Sequence, residues 1–168
     1  MARRLAALAG IAAPVSFVTA WAVAGTRLRD YSPVREHISE LARVGVETRP
    51  LMTSGMVAFG VLAPLWSRSL QGPARTTVAA AGLATLGVAV APLGASFGDT
   101  PHVAAAAAAY VAMAASPTVS GNRSVGALSG ALLLASLPDS PATGLLQRAG
   151  LGVVDAWFVV RALKQLRA

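Results

Sequence analysis

Apolar positions in this chain come in long blocks with no strict alternation, and the blocks are too long for membrane barrel strands of about 9–11 residues. Leu5 to Gly25 is 21 residues without a charge. At about 1.5 Å per residue, a helix over that run spans a hydrocarbon core of roughly 30 Å. Five further runs follow, separated by the turn signals Gly72-Pro73, Gly98-Asp99-Thr100-Pro101, Gly121-Asn122-Arg123-Ser124 and Pro138-Asp139-Ser140-Pro141. The pattern predicts a single all-α domain, a polytopic membrane protein with six transmembrane helices. Their spans are residues 5–25, 51–67, 76–97, 102–120, 125–138 and 145–163. Helices satisfy their own backbone groups, which lipid requires. Basic residues before the first run and Ala22-Val23-Ala24 near its end also fit a secretory leader, but the run exceeds the usual 7–15 residues and more spans follow.

One long polar segment interrupts this pattern, Arg27 to Arg49, and it holds four of the seven acidic residues and one of the two histidines. Ser32 can cap a helix that opens on Pro33, where a missing N–H is harmless. Val34, Ile38 and Leu41 then share one face and Glu36, Ser39, Glu40 and Arg43 the other, with Gly45 as terminator. This predicts a short amphipathic helix lying in the membrane interface between the first two spans.

Composition agrees with a membrane class. The chain is 55% hydrophobic and 12% charged, with mean hydropathy +0.60, whereas soluble domains are about a quarter charged. There is no cysteine, which excludes disulfides and thiol chemistry. The net charge of +7 forms no continuous basic patch with aromatics, so nucleic acid is not a partner. It reads instead as topology. With the N-terminus in the cytoplasm, the inner segments hold eight Lys and Arg and no acid, while the outer segments hold six Arg and Asp30, Glu36, Glu40, Glu47, Asp99 and Asp139. Both termini then lie inside and both histidines at the outer surface. Trp21, Trp66 and Tyr31 suit interfacial anchoring, and Trp157 lies deeper. Gly94 to Gly98 and Gly126 to Gly130 have the G-x-x-x-G spacing of close helix contacts, which ordinary packing explains.

Ile38-Ser39-Glu40-Leu41 after the first span, Asp99 leading to His102-Val103-Ala104-Ala105, and Gln147-Arg148 with Trp157 in the last span resemble the family catalogued as domain of unknown function 998. The resemblance covers nearly the whole chain. It implies a six-helix integral membrane protein of a bacterial cytoplasmic membrane, and it supplies no activity.

Candidate chemistry gathers at the outer mouth and in the last span. Asp155 stands in the middle of the sixth run, where an acid costs roughly 2.5–3.5 kcal/mol on insertion scales. Ser16, Thr85, Tyr110 and Arg148 are its candidate partners. Asp99, His102, His37 and one of Glu36 or Glu40 form a candidate catalytic or zinc-binding group, with an open position for water. Against this, His and Asp at a helix start serve as cap residues, and no H-x-x-x-H spacing is present, so no metal and no cofactor is assigned. Ser32, Ser39 and Ser54 lack a G-x-S-x-G elbow. The binding residues are therefore Glu36, His37, Glu40, Asp99, His102, Tyr110, Arg148 and Asp155. Three functions follow: a bundle binding or transporting lipid or a small molecule, a structural subunit pairing with itself or another membrane protein, and an intramembrane hydrolase acting on lipid.

Overall fold

The computed structural model describes residues 1–138 and 140–167; Asp139, one of the expected outer acids, lies outside them. Six helices account for most of the chain: α1 Ala2–Arg27, α2 Arg49–Ser67, α3 Pro73–Val90, α4 Thr100–Val119, α5 Arg123–Ala135 and α6 Thr143–Arg167. Each packs on its chain neighbours, and α6 closes back on α1, so the helices form a ring. Four of them, α1 to α4, are long and apolar enough to cross a bilayer. The 13 residues of α5 are short for a crossing, and α6 carries Gln147, Arg148 and Asp155 among its apolar residues. Leu83, Val90, Val103, Val111 and Leu134 are all at least 60% exposed on the outside of the ring. An apolar girdle of this kind marks a helical membrane protein, because a soluble monomer does not leave such an area bare.

Most helix ends shift by two to four residues from the sequence expectation, and the two larger departures have identifiable reasons. The third helix stops at Val90, not residue 97, because Pro92 pushes Ala91 out of the helical region to φ −116° and ψ 69°. Residues 91–99 form a loop instead, and Gly94 and Gly98 sit in it at φ 74° and 84°. Their spacing therefore has nothing to do with helix packing. Gly126 does pack: a Cβ there would strike Thr118 and lie 2.6 Å from the Ala114 carbonyl oxygen on α4.

The expected amphipathic helix is replaced by a turn over residues 33–36 and a 3-10 helix, Ile38–Ala42. A helix from Pro33 would need the Val34 carbonyl to accept from the Ile38 N–H. Both groups are engaged elsewhere: Leu145 N–H donates to Val34 O at 2.9 Å, and Ile38 N–H donates to Gln147 Oε1 at 2.7 Å. Ile38 and Leu41 are 2% and 0% exposed, so the segment buries its apolar face in the bundle rather than in lipid, and Val34 stays exposed.

The core lies between α1, α2 and α6, where Phe17, Phe59, Phe158, Trp66 and Trp157 form a chain of ring contacts with centroids 4.9–6.2 Å apart. Trp66 is not an interfacial anchor. It is fully buried, and its indole N–H donates to Gln165 Oε1 at 2.7 Å. Small residues let the helices approach: at the α2/α3 crossing, a Cβ on Gly60 or Gly82 would sit 3.1 Å from the other's carbonyl oxygen, and one on Gly82 would also meet the Pro64 ring.

These crossings predict opposite responses to the same substitution. Gly82→Ala should lower the thermal midpoint in detergent, because overpacking costs about 1–3 kcal/mol against a helix-propensity gain of about 1 kcal/mol. Gly152→Ala, with nothing within 4 Å, should keep that gain and raise the midpoint. Tryptophan fluorescence during heating reads both, and equal shifts would contradict the crossing.

Candidate functional site

The polar segment folds across one end of the ring as a cap. Asp30 turns the chain out of α1 with a left-handed φ of 61°, a conformation that Asp tolerates better than most residues. Tyr31 is then laid inward, 9% exposed, with its hydroxyl 3.1 Å from the His37 carbonyl oxygen. Thr48 Oγ1 donates to Leu41 O at 2.8 Å and Val44 N–H to Leu93 O at 2.9 Å, which ties the far end of the cap to α2 and to the 91–99 loop.

Two consecutive residues of α6 hold the near end. Arg148 donates through Nη1 to the carbonyls of Pro33 at 2.7 Å, Glu36 at 3.0 Å and Gly144 at 2.9 Å, and through Nη2 to the Tyr31 hydroxyl. Its guanidinium also lies over the rings of Trp21 and Tyr31, 5.3 and 5.5 Å from their centroids. Charge-assisted bonds of this kind are about twice as strong as neutral ones. Gln147 uses both ends of its amide, accepting from Ile38 N–H and donating through Nε2 to the Tyr110 oxygen. Gly144 is required here, since a Cβ would collide with the Glu36 carbonyl and lie 2.7 Å from that of Pro33. Burial raises the Tyr31 phenol above its ordinary pKa, and the charge of Arg148 partly offsets the shift.

Beneath the cap is a cavity of about 50 Å³ whose walls come from α1, α2, α3, α4, α6 and the 3-10 helix. Phe17, Met56, Phe59 and Met113 supply apolar surface; His102, Tyr110 and Gln147 supply polar atoms. His102 Nδ1 lies 2.8 Å from the Ala91 carbonyl oxygen. A carbonyl only accepts, so Nδ1 carries the hydrogen and Nε2 of the neutral ring is an acceptor. That nitrogen has no hydrogen-bond partner among the described residues. The Tyr110 oxygen accepts from Gln147, which leaves its O–H free to donate.

The other candidates go to separate partners. His37 Nε2 bonds the Ser136 carbonyl at 3.1 Å, Asp99 accepts from Gly94 N–H at 2.7 Å, and Glu40 pairs with Arg43 at 2.6 Å. Glu36 Oε1 caps the Ser32 amide at 3.4 Å. Among the described residues no group of three His, Cys, Asp or Glu is placed to share a metal ion. Asp155 is 4% exposed and neither of its carboxyl oxygens has a partner among the described residues. Of its expected partners, Thr85 donates back to Ala81, Tyr110 meets Gln147, and Arg148 clamps the cap. Gln147 was not among the expected site residues. The signal for it was an amide beside an arginine inside an apolar helix, two polar groups that lipid cannot satisfy.

Residues 11–164 match the model of a family described as protein of unknown function (DUF998). No curated protein and no solved structure matches the chain.

The clamp makes Arg148 the residue on which cap docking turns. Arg148→Met should cost about 2–3 kcal/mol, the scale of hydrogen bonds to a charged group, and open residues 31–42 to limited proteolysis. Arg148→Lys should recover less than half of that, because an ammonium lacks the planar fork. Since the folded pKa of Tyr31 is raised, its contribution is complete below about pH 10 and is lost as pH rises through the folded value. Thermal midpoints measured against pH should show that alkaline loss in the wild type and a smaller one in Tyr31→Phe.

Proposed function

Since the chain belongs to the DUF998 family, whose function is unknown, we propose from its own geometry that it is a binding bundle that takes the polar end of an amphiphile under the cap. The observation that carries this reading is that His102, whose Nε2 has no partner among the described residues, and Tyr110, whose O–H is not donated to any of them, line the same mainly apolar cavity. Apolar pockets with a few convergent polar groups are where ligands bind. At about 10–15 Å³ per water, 50 Å³ admits about three to five atoms of a head group. The head is therefore a hydroxyl or carbonyl, with the hydrocarbon lodged among the helices. Met56 and Met113 are unbranched and can repack around it.

The same reading places the bundle in a bacterial cytoplasmic membrane with six crossings, α5 and α6 included, and the cap on the outer side. It is supported by the charge pattern: among the described residues, the end that holds the start of α1 and the end of α6 is lined by cations without acids, as the positive-inside rule expects. Hydrolysis is the weaker alternative. A catalytic group built from His37, Asp99 and His102 would need all three to leave the partners they have.

Monoolein, a glycerol head on one acyl chain, is a suitable probe. Titrated in neutral detergent and followed by native mass spectrometry, it should bind the wild type, and Tyr110→Phe should weaken it about fivefold, the equivalent of one hydrogen bond of about 1 kcal/mol. His102→Gln should weaken it similarly, while Val111→Ala on the outer face should not. Equal binding by all four proteins would overturn the proposal.

A further inference from the structure

The opposite end of the ring has a second and larger recess, of about 1030 Å³, where the first turns of α1, the α2–α3 turn and the last turns of α6 meet. Arg3, Arg68, Arg161 and Lys164 line it, and among the described residues no carboxylate does. The only ion pair among the described residues is Glu40 with Arg43 in the cap, so none of these four cations has a carboxylate partner. The recess is built, not left over. Gln165 accepts from Trp66 Nε1 at 2.7 Å and meets Ser69 at 3.4 Å, which fixes the α2–α3 turn against α6.

Its lining has two characters. Cationic side chains come from α1, the α2–α3 turn and α6, and hydrocarbon from α1 and α2, with Leu5 and Leu65 58% and 39% exposed. Leu5 belongs to the outer face of α1 that also exposes Leu8 and Val15, so the apolar wall runs into the lipid-facing girdle. Four like charges around one recess repel each other, and an anion placed among them relieves that repulsion. A soluble anion would use the cations alone. A phospholipid would use both walls.

We propose that this recess binds the phosphate head group of an anionic phospholipid, with its acyl chains along the α1 and α2 wall. Each Lys or Arg near an anionic membrane surface contributes about 1 kcal/mol, or roughly fivefold in affinity. The site is independent of the cavity under the cap, because none of its lining residues is shared with it.

The experiment titrates full-length protein in neutral detergent with phosphatidylglycerol, phosphatidylcholine or glycerol 3-phosphate, with binding read by native mass spectrometry. Phosphatidylglycerol should bind more tightly than phosphatidylcholine. Arg68→Gln with Lys164→Gln should weaken it about 25-fold, fivefold per charge removed. The thermal midpoint of this double variant in detergent alone should not fall, since both side chains are exposed and their removal relieves like-charge repulsion. Arg161→Gln serves if the double variant fails to fold, with an expected loss of about fivefold. Arg49→Gln, at the cap end, should leave binding unchanged. Equal affinity for the two lipids, or undiminished binding by the charge variants, would overturn the proposal. Glycerol 3-phosphate binding as tightly as phosphatidylglycerol would also overturn it and assign the recess to soluble phosphate esters.

Discussion

The guanidinium of Arg148 and the amide of Gln147 hold backbone groups that no helix satisfies, and the cap exists because of that contact. A chain of turns and a 3-10 helix presents carbonyls that lipid cannot hydrate and that cost several kcal/mol each if left bare. Pro33, Val34 and Glu36 present such carbonyls, and α6 meets all three, two through Arg148 and one through the Leu145 amide. The same two side chains reach Tyr31 on one side and Tyr110 on the other. One turn of α6 thus joins the cap, the end of α1 and the middle of α4, which together with α2 and α3 enclose the cavity.

How far the sequence foretold this depends on the range of the forces involved. The helices were legible because uncharged runs such as Leu5–Gly25 have only one way to satisfy their backbones in lipid. The end of α3 was readable in principle from Pro92, a local constraint that the hydropathy of residues 91–97 obscures. The cap was not readable. Val34, Ile38 and Leu41 have helical spacing, but the groups that decide their backbone lie more than a hundred residues away in α6. Of the residues named from the sequence, Arg148 and Tyr110 were expected beside Asp155 and instead bond the cap and Gln147, and His37, Asp99 and Glu40, drawn together by type, have separate partners.

The two ends of the ring differ in physical character. At the cap end three charged side chains have protein partners: Arg148 carbonyls, Arg43 the Glu40 carboxylate, and Asp99 a loop amide. At the other end the cations face an open recess that no acid among the described residues lines. Asp155 belongs to neither end. It is buried in α6 without a partner among the described residues, and nothing in the structure accounts for it.

The docked cap is the premise beneath the cavity and everything proposed for it, and amide hydrogen exchange in detergent tests it most directly. The Ile38 N–H is held by Gln147, the Val44 N–H by Leu93 O, and the Leu145 N–H by Val34 O. All three should exchange as slowly as neighbouring helix amides, and Ile38 should speed up when Gln147 is replaced by Leu. Exchange of Ile38 and Val44 at the rate of an unstructured chain in the wild type would mean that the cap is not docked.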